Sequence, residues 1–308
     1  MYSKKIRTAV SHFISWLGLI FCSLIIKVTS QRCLYKFAKV ISRLGYHLAA
    51  KQRKIALENL KIAFDNEKSS WEIEQISIGC FTLMAKSAVE LIFLMDRPAL
   101  LKKRVTIQGK GNLDNALKRG KGVILVSAHF GNFPLLMAKL SLEGYKIAGI
   151  MRPMRDRRVE SIFLKKRNRL GIKTIYSQPR NACVNTTIES LRKNELVFIP
   201  IDQNFGTAGV FVNFFGRKAA TATGPIVLTQ RTKATLLPCF IIRNNDDTHR
   251  IIFETAIDLE QGRDVSETVL INIQKLTDII ESYIRRYPAE WGWIHRRWKS
   301  KPSEKGGG

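Results

Sequence analysis

His129 stands where a strand-like run gives way to a turn, within Val123-Ile124-Leu125-Val126-Ser127-Ala128-His129-Phe130-Gly131-Asn132-Phe133-Pro134. The apolar, β-branched start of this stretch predicts a buried strand, Gly131-Asn132 a turn, and Leu135–Leu142 a helix. An imidazole delivered at a strand end can act as a general base, because ligands of open α/β sheets bind beyond the carboxyl ends of the strands. A loop histidine with its hydrogen bonds satisfied fits the same segment, and the segment alone does not separate the two readings.

Four further stretches give this histidine a context. They are Asp202-Gln203-Asn204-Phe205-Gly206, then Gly209-Val210-Phe211-Val212-Asn213-Phe214-Phe215-Gly216, then Ala220-Thr221-Ala222-Thr223-Gly224-Pro225, and finally Pro288-Ala289-Glu290-Trp291-Gly292-Trp293-Ile294-His295-Arg296-Arg297-Trp298. With His129-Phe130-Gly131-Asn132, their order and spacing resemble the lipid A biosynthesis (late) acyltransferase family, within the lysophospholipid/glycerolipid acyltransferase-like superfamily. The resemblance runs nearly end to end. It implies a membrane-associated enzyme that moves a fatty acyl chain from acyl carrier protein to a hydroxyl of a phosphorylated glycolipid such as a lipid A precursor, with no metal or bound cofactor.

Acyl transfer to a hydroxyl requires a base, an acid or dipole that fixes the tautomer of that base, and donors for the oxyanion. The resemblance assigns the base to His129. The family motif places Asp or Glu after four intervening residues, and here that position is Pro134, which can neither hold a charge nor accept from the imidazole. Asp202 is the expected substitute: it follows the strand-like Leu196–Pro200 and should emerge on the same rim as His129. Asn204 stands where the family usually has a second Asp, and Glu290 is a further alternative acid. Gly131 and Asn132 are expected to supply amide donors to the oxyanion, Asn132 doubling as a helix cap. Arg152 matches the family's Arg-Pro turn and could clamp a phosphate, with Arg155 beside it. Phe211, Phe214 and Phe215 suit an acyl-chain lining. Trp291, Trp293 and Trp298 with His295, Arg296 and Arg297 read as an interfacial segment, rings at head-group level and cations toward phosphate.

The positioning elements follow from composition and periodicity. A chain of 308 residues with 45% hydrophobic content can bury a large core. Its 51 Lys and Arg against 25 Asp and Glu, a net charge of +26, call for anionic partners: a lipid surface, an acidic carrier protein or nucleic acid. No nucleic-acid module is recognisable, and nucleic acid is not expected. Five cysteines with no CxxC spacing argue against a disulfide framework or zinc site and for small buried hydrophobes in a reducing compartment.

Lys4, Lys5 and Arg7 precede the apolar Phe13–Ile26, which predicts a retained N-terminal membrane anchor rather than a cleaved signal. Nine Lys or Arg against Glu58 between Lys27 and Lys61 predict a basic helical stretch touching anionic head groups. The expected organisation is an anchor over 1–30, a basic helical region over 31–100, an α/β acyltransferase domain over 101–300 and a tail over 301–308. Within the α/β part, strands are expected at Val105–Gln108, Val123–Ser127, Ile147–Met151, Lys173–Ile175, Leu196–Ile199, Thr235–Ile242 and Arg250–Glu254, with a helix over Arg152–Lys173 and a closing helix over Ser266–Tyr287. The fold class is thus a mostly parallel central sheet flanked by helices. The implied location is the bacterial inner membrane, with the catalytic domain on its cytoplasmic face. The alternatives are acylation of a lysophospholipid or an amino-acid lipid, and a non-catalytic lipid-binding relative.

Overall fold

A computed structural model describes Phe13 and residues 16–18, 20–26, 28–65 and 67–302. Lys4, Lys5 and Arg7, and the 303–308 end of the tail, lie outside the described residues. The apolar Trp16–Ile26 is helical where described and exposes Leu17, Phe21, Leu24 and Ile25.

Four helices follow it: α1 (Gln31–Leu48), α2 (Ala50–Phe64), α3 (Ser70–Leu94) and α4 (Pro98–Arg104). The chain then alternates β1 (Val105–Gln108), α5 (Lys110–Lys118), β2 (Val123–Ser127), α6 (Phe133–Leu142), β3 (Ile147–Met151), α7 (Arg157–Arg169), β4 (Ile172–Tyr176), α8 (Arg180–Arg192) and β5 (Leu196–Pro200). A hairpin of β6 (Val210–Phe214) and β7 (Arg217–Thr221) follows, then α9 (Gly224–Thr232), β8 (Thr235–Arg243), β9 (His249–Phe253) and α10 (Val265–Arg286).

Among the described residues one seven-stranded sheet has the order β1-β9-β8-β2-β5-β3-β4. The five strands from β8 to β4 run parallel, and β9 pairs antiparallel to β8. β2 lies near the middle with every residue buried, as a run of Val, Ile and Leu covered on both faces should. The expected α/β class is therefore observed, with helices on both faces feeding two apolar layers. One layer holds Ile124, Val126, Phe240 and Ile273, the other Leu125, Leu136, Leu140 and Phe198.

Two local expectations are corrected, and one hairpin is added. The helix expected from Arg152 starts at Arg157, because Asp156 caps it by accepting from the amides of Arg158 (2.8 Å) and Val159 (3.4 Å). Arg152 and Arg155 therefore sit on the loop after β3. Val210–Phe214, which is not among the expected strands, pairs with β7 in a separate antiparallel hairpin, turning at Phe215 (φ 52°) and Gly216 (φ 71°). Cys80 and Cys239 are buried as expected, but Cys22 and Cys33 are exposed.

α1 buries one apolar strip and leaves a second exposed. Leu34, Ala38, Ser42 and Tyr46 are buried, and α1 packs on α3, whereas Phe37, Val40, Ile41, Leu44 and Leu48 are 45–83% exposed. α3 is long and apolar enough to cross a membrane by length and composition alone; it also packs against α2 and the Pro288–Glu290 turn.

Candidate active site

Strand register places the two central groups. Ser127 at the end of β2 pairs with Pro200 at the end of β5, so His129 and Asp202, each two residues further on, leave the sheet at the same height. Their side chains meet: His129 Nδ1 lies 2.8 Å from Asp202 Oδ1. The other carboxylate oxygen, Oδ2, accepts from Trp291 Nε1 at 2.8 Å. The result is a line of three side chains, indole to carboxylate to imidazole, from three distant parts of the chain.

Asp202 is 3% exposed and His129 34% exposed at the side chain, so the carboxylate is enclosed and the imidazole open on its outer side. Burial alone would raise the carboxyl pKa, but the imidazole's charge and hydrogen bond, joined by the indole N–H, outweigh it and hold Asp202 at about 2. For His129 burial works downward, and the adjacent Asp202 charge overrides it to leave the imidazole above its ordinary value. An ionised Asp202 keeps the proton on Nδ1 and the lone pair on Nε2. That is the electronic state of a base.

The imidazole is braced by the Phe133 ring, edge-on at 5.3 Å. Trp291 is held in turn by Cys80 Sγ, which donates to its carbonyl, and by the rings of Trp293 and Phe214 at 4.6 and 5.6 Å. Gly131 adopts φ 56°, and a Cβ there would lie 2.0 Å from the Ile241 carbonyl oxygen, so the turn after His129 admits only glycine. Pro134 occupies the first turn of α6, where its missing N–H costs no helical hydrogen bond.

The remaining expectations divide. Of the expected oxyanion donors, the Gly131 N–H is already engaged, donating to the Glu290 carbonyl at 2.8 Å, and the Asn132 side chain donates to Glu90 Oε2 at 2.9 Å. Asn132 occupies the N-cap position of α6 without capping it. Glu290 does not reach the imidazole; its carboxylate accepts from the Arg243 amide, and burial pushes it up to about 7 against the pull of Arg243. Asn204 donates to Ser300.

Arg152, Arg155 and Arg296 are exposed, with no polar partner for their side chains among the described residues. Phe214 and Phe215 are buried in a cluster with Phe64, Trp291, Trp293 and Trp298 rather than lining open space, and Phe211 stays half-buried. The interfacial reading of the tail is also corrected. Trp291 and Trp293 are at most 1% exposed, and the buried Arg297 donates to the Ala220 carbonyl and Thr221 Oγ1, both at 2.5 Å. Inside, its Nη1 donates to the Gln203 and Ala220 carbonyls and its Nη2 to the Thr221 hydroxyl beside the β6–β7 hairpin, as a buried guanidinium requires.

Of the residues expected at a membrane surface and found inside, Trp291 is the one that joins the site. The available signal was chemical: a buried indole must find an acceptor for its one N–H, and Asp202 was the carboxylate still lacking a second donor. A cavity of about 580 Å³ lined by Arg119, Thr229, Lys233 and Thr235 lies away from these groups, near the start of β8 and the opposite end of the sheet.

The bacterial lipid A biosynthesis acyltransferase family model matches residues 2–300. A lipid A biosynthesis acyltransferase of Haemophilus influenzae is 26% identical over 288 residues, covering 91% of this chain and 85% of its own. A lipid A biosynthesis lauroyltransferase of Escherichia coli is 24% identical over 97% of this chain and 96% of its own, and a palmitoleoyltransferase of the same organism 27% identical over 82% and 80%. With the match running from the first residues to the tail, the chain belongs to the bacterial lipid A biosynthesis acyltransferases and is an acyltransferase.

Proposed function

We propose that this acyltransferase takes a fatty acyl group from acyl carrier protein and esterifies a hydroxyl of a lipid A precursor, a phosphorylated glycolipid, with His129 as general base. The observation that carries the reading is the Trp291–Asp202–His129 line, with both links at 2.8 Å. His129 Nε2 takes the proton from the acceptor hydroxyl as its oxygen attacks the thioester carbonyl. Collapse of the tetrahedral intermediate breaks the carbon–sulfur bond, and the imidazolium returns the proton to the leaving thiolate. Asp202 fills the role that Pro134 cannot, fixing the tautomer and stabilising the imidazolium.

Arg152 and Arg155, exposed on the loop after β3, are free to meet phosphates of the acceptor, with Arg296 on the tail as a further contact. The half-buried Phe211 meets the acyl chain. The enzyme works against the cytoplasmic face of the inner membrane, where α1 lays Phe37, Val40, Ile41, Leu44 and Leu48 into anionic lipid and Arg32, Lys36, Lys39 and Arg43 meet head groups. The net charge of +26 steers the acidic carrier protein to it.

The test is acyl transfer by detergent-purified protein from labelled acyl carrier protein, and from acyl-CoA, to lipid A precursors, lysophospholipids and an amino-acid lipid. Product on the lipid A precursor from the carrier protein, absent with an equally folded His129→Gln, is the expected result. Product confined to another acceptor, or unchanged in His129→Gln, overturns the reading.

A further inference from the structure

Glu90 lies one turn before the end of α3, its side chain 1% exposed, and the mechanism above does not use it. It accepts five hydrogen bonds: from Tyr35 Oη (2.6 Å), Asn132 Nδ2 (2.9 Å), Arg243 Nη1 and Nη2 (2.6 and 2.7 Å) and His249 Nε2 (3.1 Å). These donors come from α1, the turn before α6, β8 and β9, so one carboxylate joins four elements. Asp247 and Lys86 extend the network, each within reach of the other and Asp247 of Arg243.

Stability alone does not call for this arrangement, because a buried ion pair is commonly matched by apolar side chains of similar volume. What an apolar cluster could not supply is a directional acceptor for Asn132. An asparagine at an N-cap position ordinarily turns its oxygen onto the helix's own amides. Here the side chain points away, donating to Glu90 and to the Ser87 carbonyl at 3.3 Å, so α6 is held at its start by α3. The turn from His129 to Asn132 is then pinned three times: Asp202 holds His129, the Glu290 carbonyl holds the Gly131 amide, and Glu90 holds Asn132.

We propose that Glu90 is a positioning residue for acyl transfer, fixing the His129–Asn132 turn through the Asn132 side chain. The proposal rests on His129 being the base. Misplacing a reacting group by about 1 Å lowers the rate on the order of 10²-fold, so a turn released at Asn132 should lose turnover while acceptor binding is kept.

The experiment compares wild type, Glu90→Gln, Asn132→Asp and the double variant Glu90→Gln/Asn132→Asp, which exchanges amide and carboxylate across the same contact. In each, kcat and KM are measured beside amide hydrogen exchange over residues 129–133. Glu90→Gln is expected to lower kcat on the order of 10²-fold with KM little changed and to speed exchange in the turn. Asn132→Asp, facing two carboxylates together, is expected to be worse. The exchanged pair should recover about tenfold or more of the lost kcat and slow the exchange again, although Arg243 and His249 have lost their original partner. A purely structural Glu90 predicts otherwise: kcat falling only with the folded fraction, exchange rising across the whole chain, and no recovery in the double variant; any of these overturns the proposal. If the wild type transfers no acyl group to any acceptor, the functional reading has failed, and unchanged exchange over 129–133 in Glu90→Gln still refutes the pinning by itself.

Discussion

Asp202→Asn removes one charge and almost no volume, and the structure dictates how the new amide must sit. Trp291 Nε1 can only donate, so the oxygen of the introduced amide turns toward the indole in place of Oδ2. Its NH₂ then faces His129 Nδ1, and because NH₂ also only donates, Nδ1 must accept and the imidazole proton moves to Nε2. The nitrogen that should take the acceptor's proton is now occupied. Loss of the correct tautomer in a comparable hydrolytic triad costs about 10⁴ in kcat, so a fall of roughly 10³–10⁴ is expected here. At about 1.36 kcal/mol per decade that is roughly 4–5 kcal/mol of transition-state stabilisation. The pH profile changes as well. Burial pulls the His129 pKa down and Asp202 more than offsets it; with Asp202 neutralised, burial acts unopposed. The acidic limb of kcat/KM, above the ordinary imidazole value of about 6.5 in the wild type, should move below it in the variant. Trp291→Phe added to Asp202→Asn frees the amide to rotate and restore the Nδ1–H tautomer, so the double variant should exceed Asp202→Asn about tenfold even though Trp291→Phe alone slows the wild type. Steady-state kinetics across about pH 5–9, with circular dichroism to confirm folding, reads all of this. A plateau within about threefold of wild type and an unmoved limb would refute the reasoning, since no orienting carboxylate is that dispensable.

Four other outcomes are expected. His129→Gln, whose amide can still donate to Asp202, should fold normally yet lose about 10²-fold or more in kcat, whereas His129→Ala should also destabilise, by about 3 kcal/mol or more, because it leaves a buried carboxylate with the indole as its remaining side-chain donor. Gly131→Ala should cost about 1–3 kcal/mol in strain alone, read as a lower urea midpoint, since its Cβ meets the Ile241 carbonyl. The His129–Asp202 pair contributes to stability most fully between about pH 3.9 and 6.5. The raised histidine's share is lost as pH climbs through its folded value, and the depressed Asp202's share is lost as pH falls toward about 2; urea titrations of wild type against Asp202→Asn should converge outside that window. Ile41→Asp with Leu44→Asp should lower sedimentation with anionic vesicles at least tenfold while leaving Tm within a few degrees, because both side chains are exposed in the protein by itself.

The alternating α/β organisation, the strand that carries His129 and the turn that ends it are all legible in the order of residues. Those features are written locally, as an apolar β-branched run followed by Gly-Asn and a helical period, and local steric preference enforces them. The family was equally legible from motif order, and Asp202 could be named as a partner because a residue just past a neighbouring strand must emerge on the same rim. What no local pattern could carry was which strand is the neighbour. β5 lies next to β2 because of the strand order, and that order results from packing all the helices on both faces at once.

The tail shows the same limit more sharply. Tryptophans and arginines have the same composition whether they face a membrane or a core, and only the space closed by the β6–β7 hairpin, α2 and α3 made Trp291, Trp293 and Arg297 interior. Gly131 and Asn132 form the turn after His129 that the sequence predicts, but their hydrogen-bond partners, the Glu290 carbonyl and Glu90, lie far away in the chain. A donor's type is set by its residue, whereas its acceptor is whatever the folded chain brings within about 3 Å, and for this turn that choice came from long-range packing.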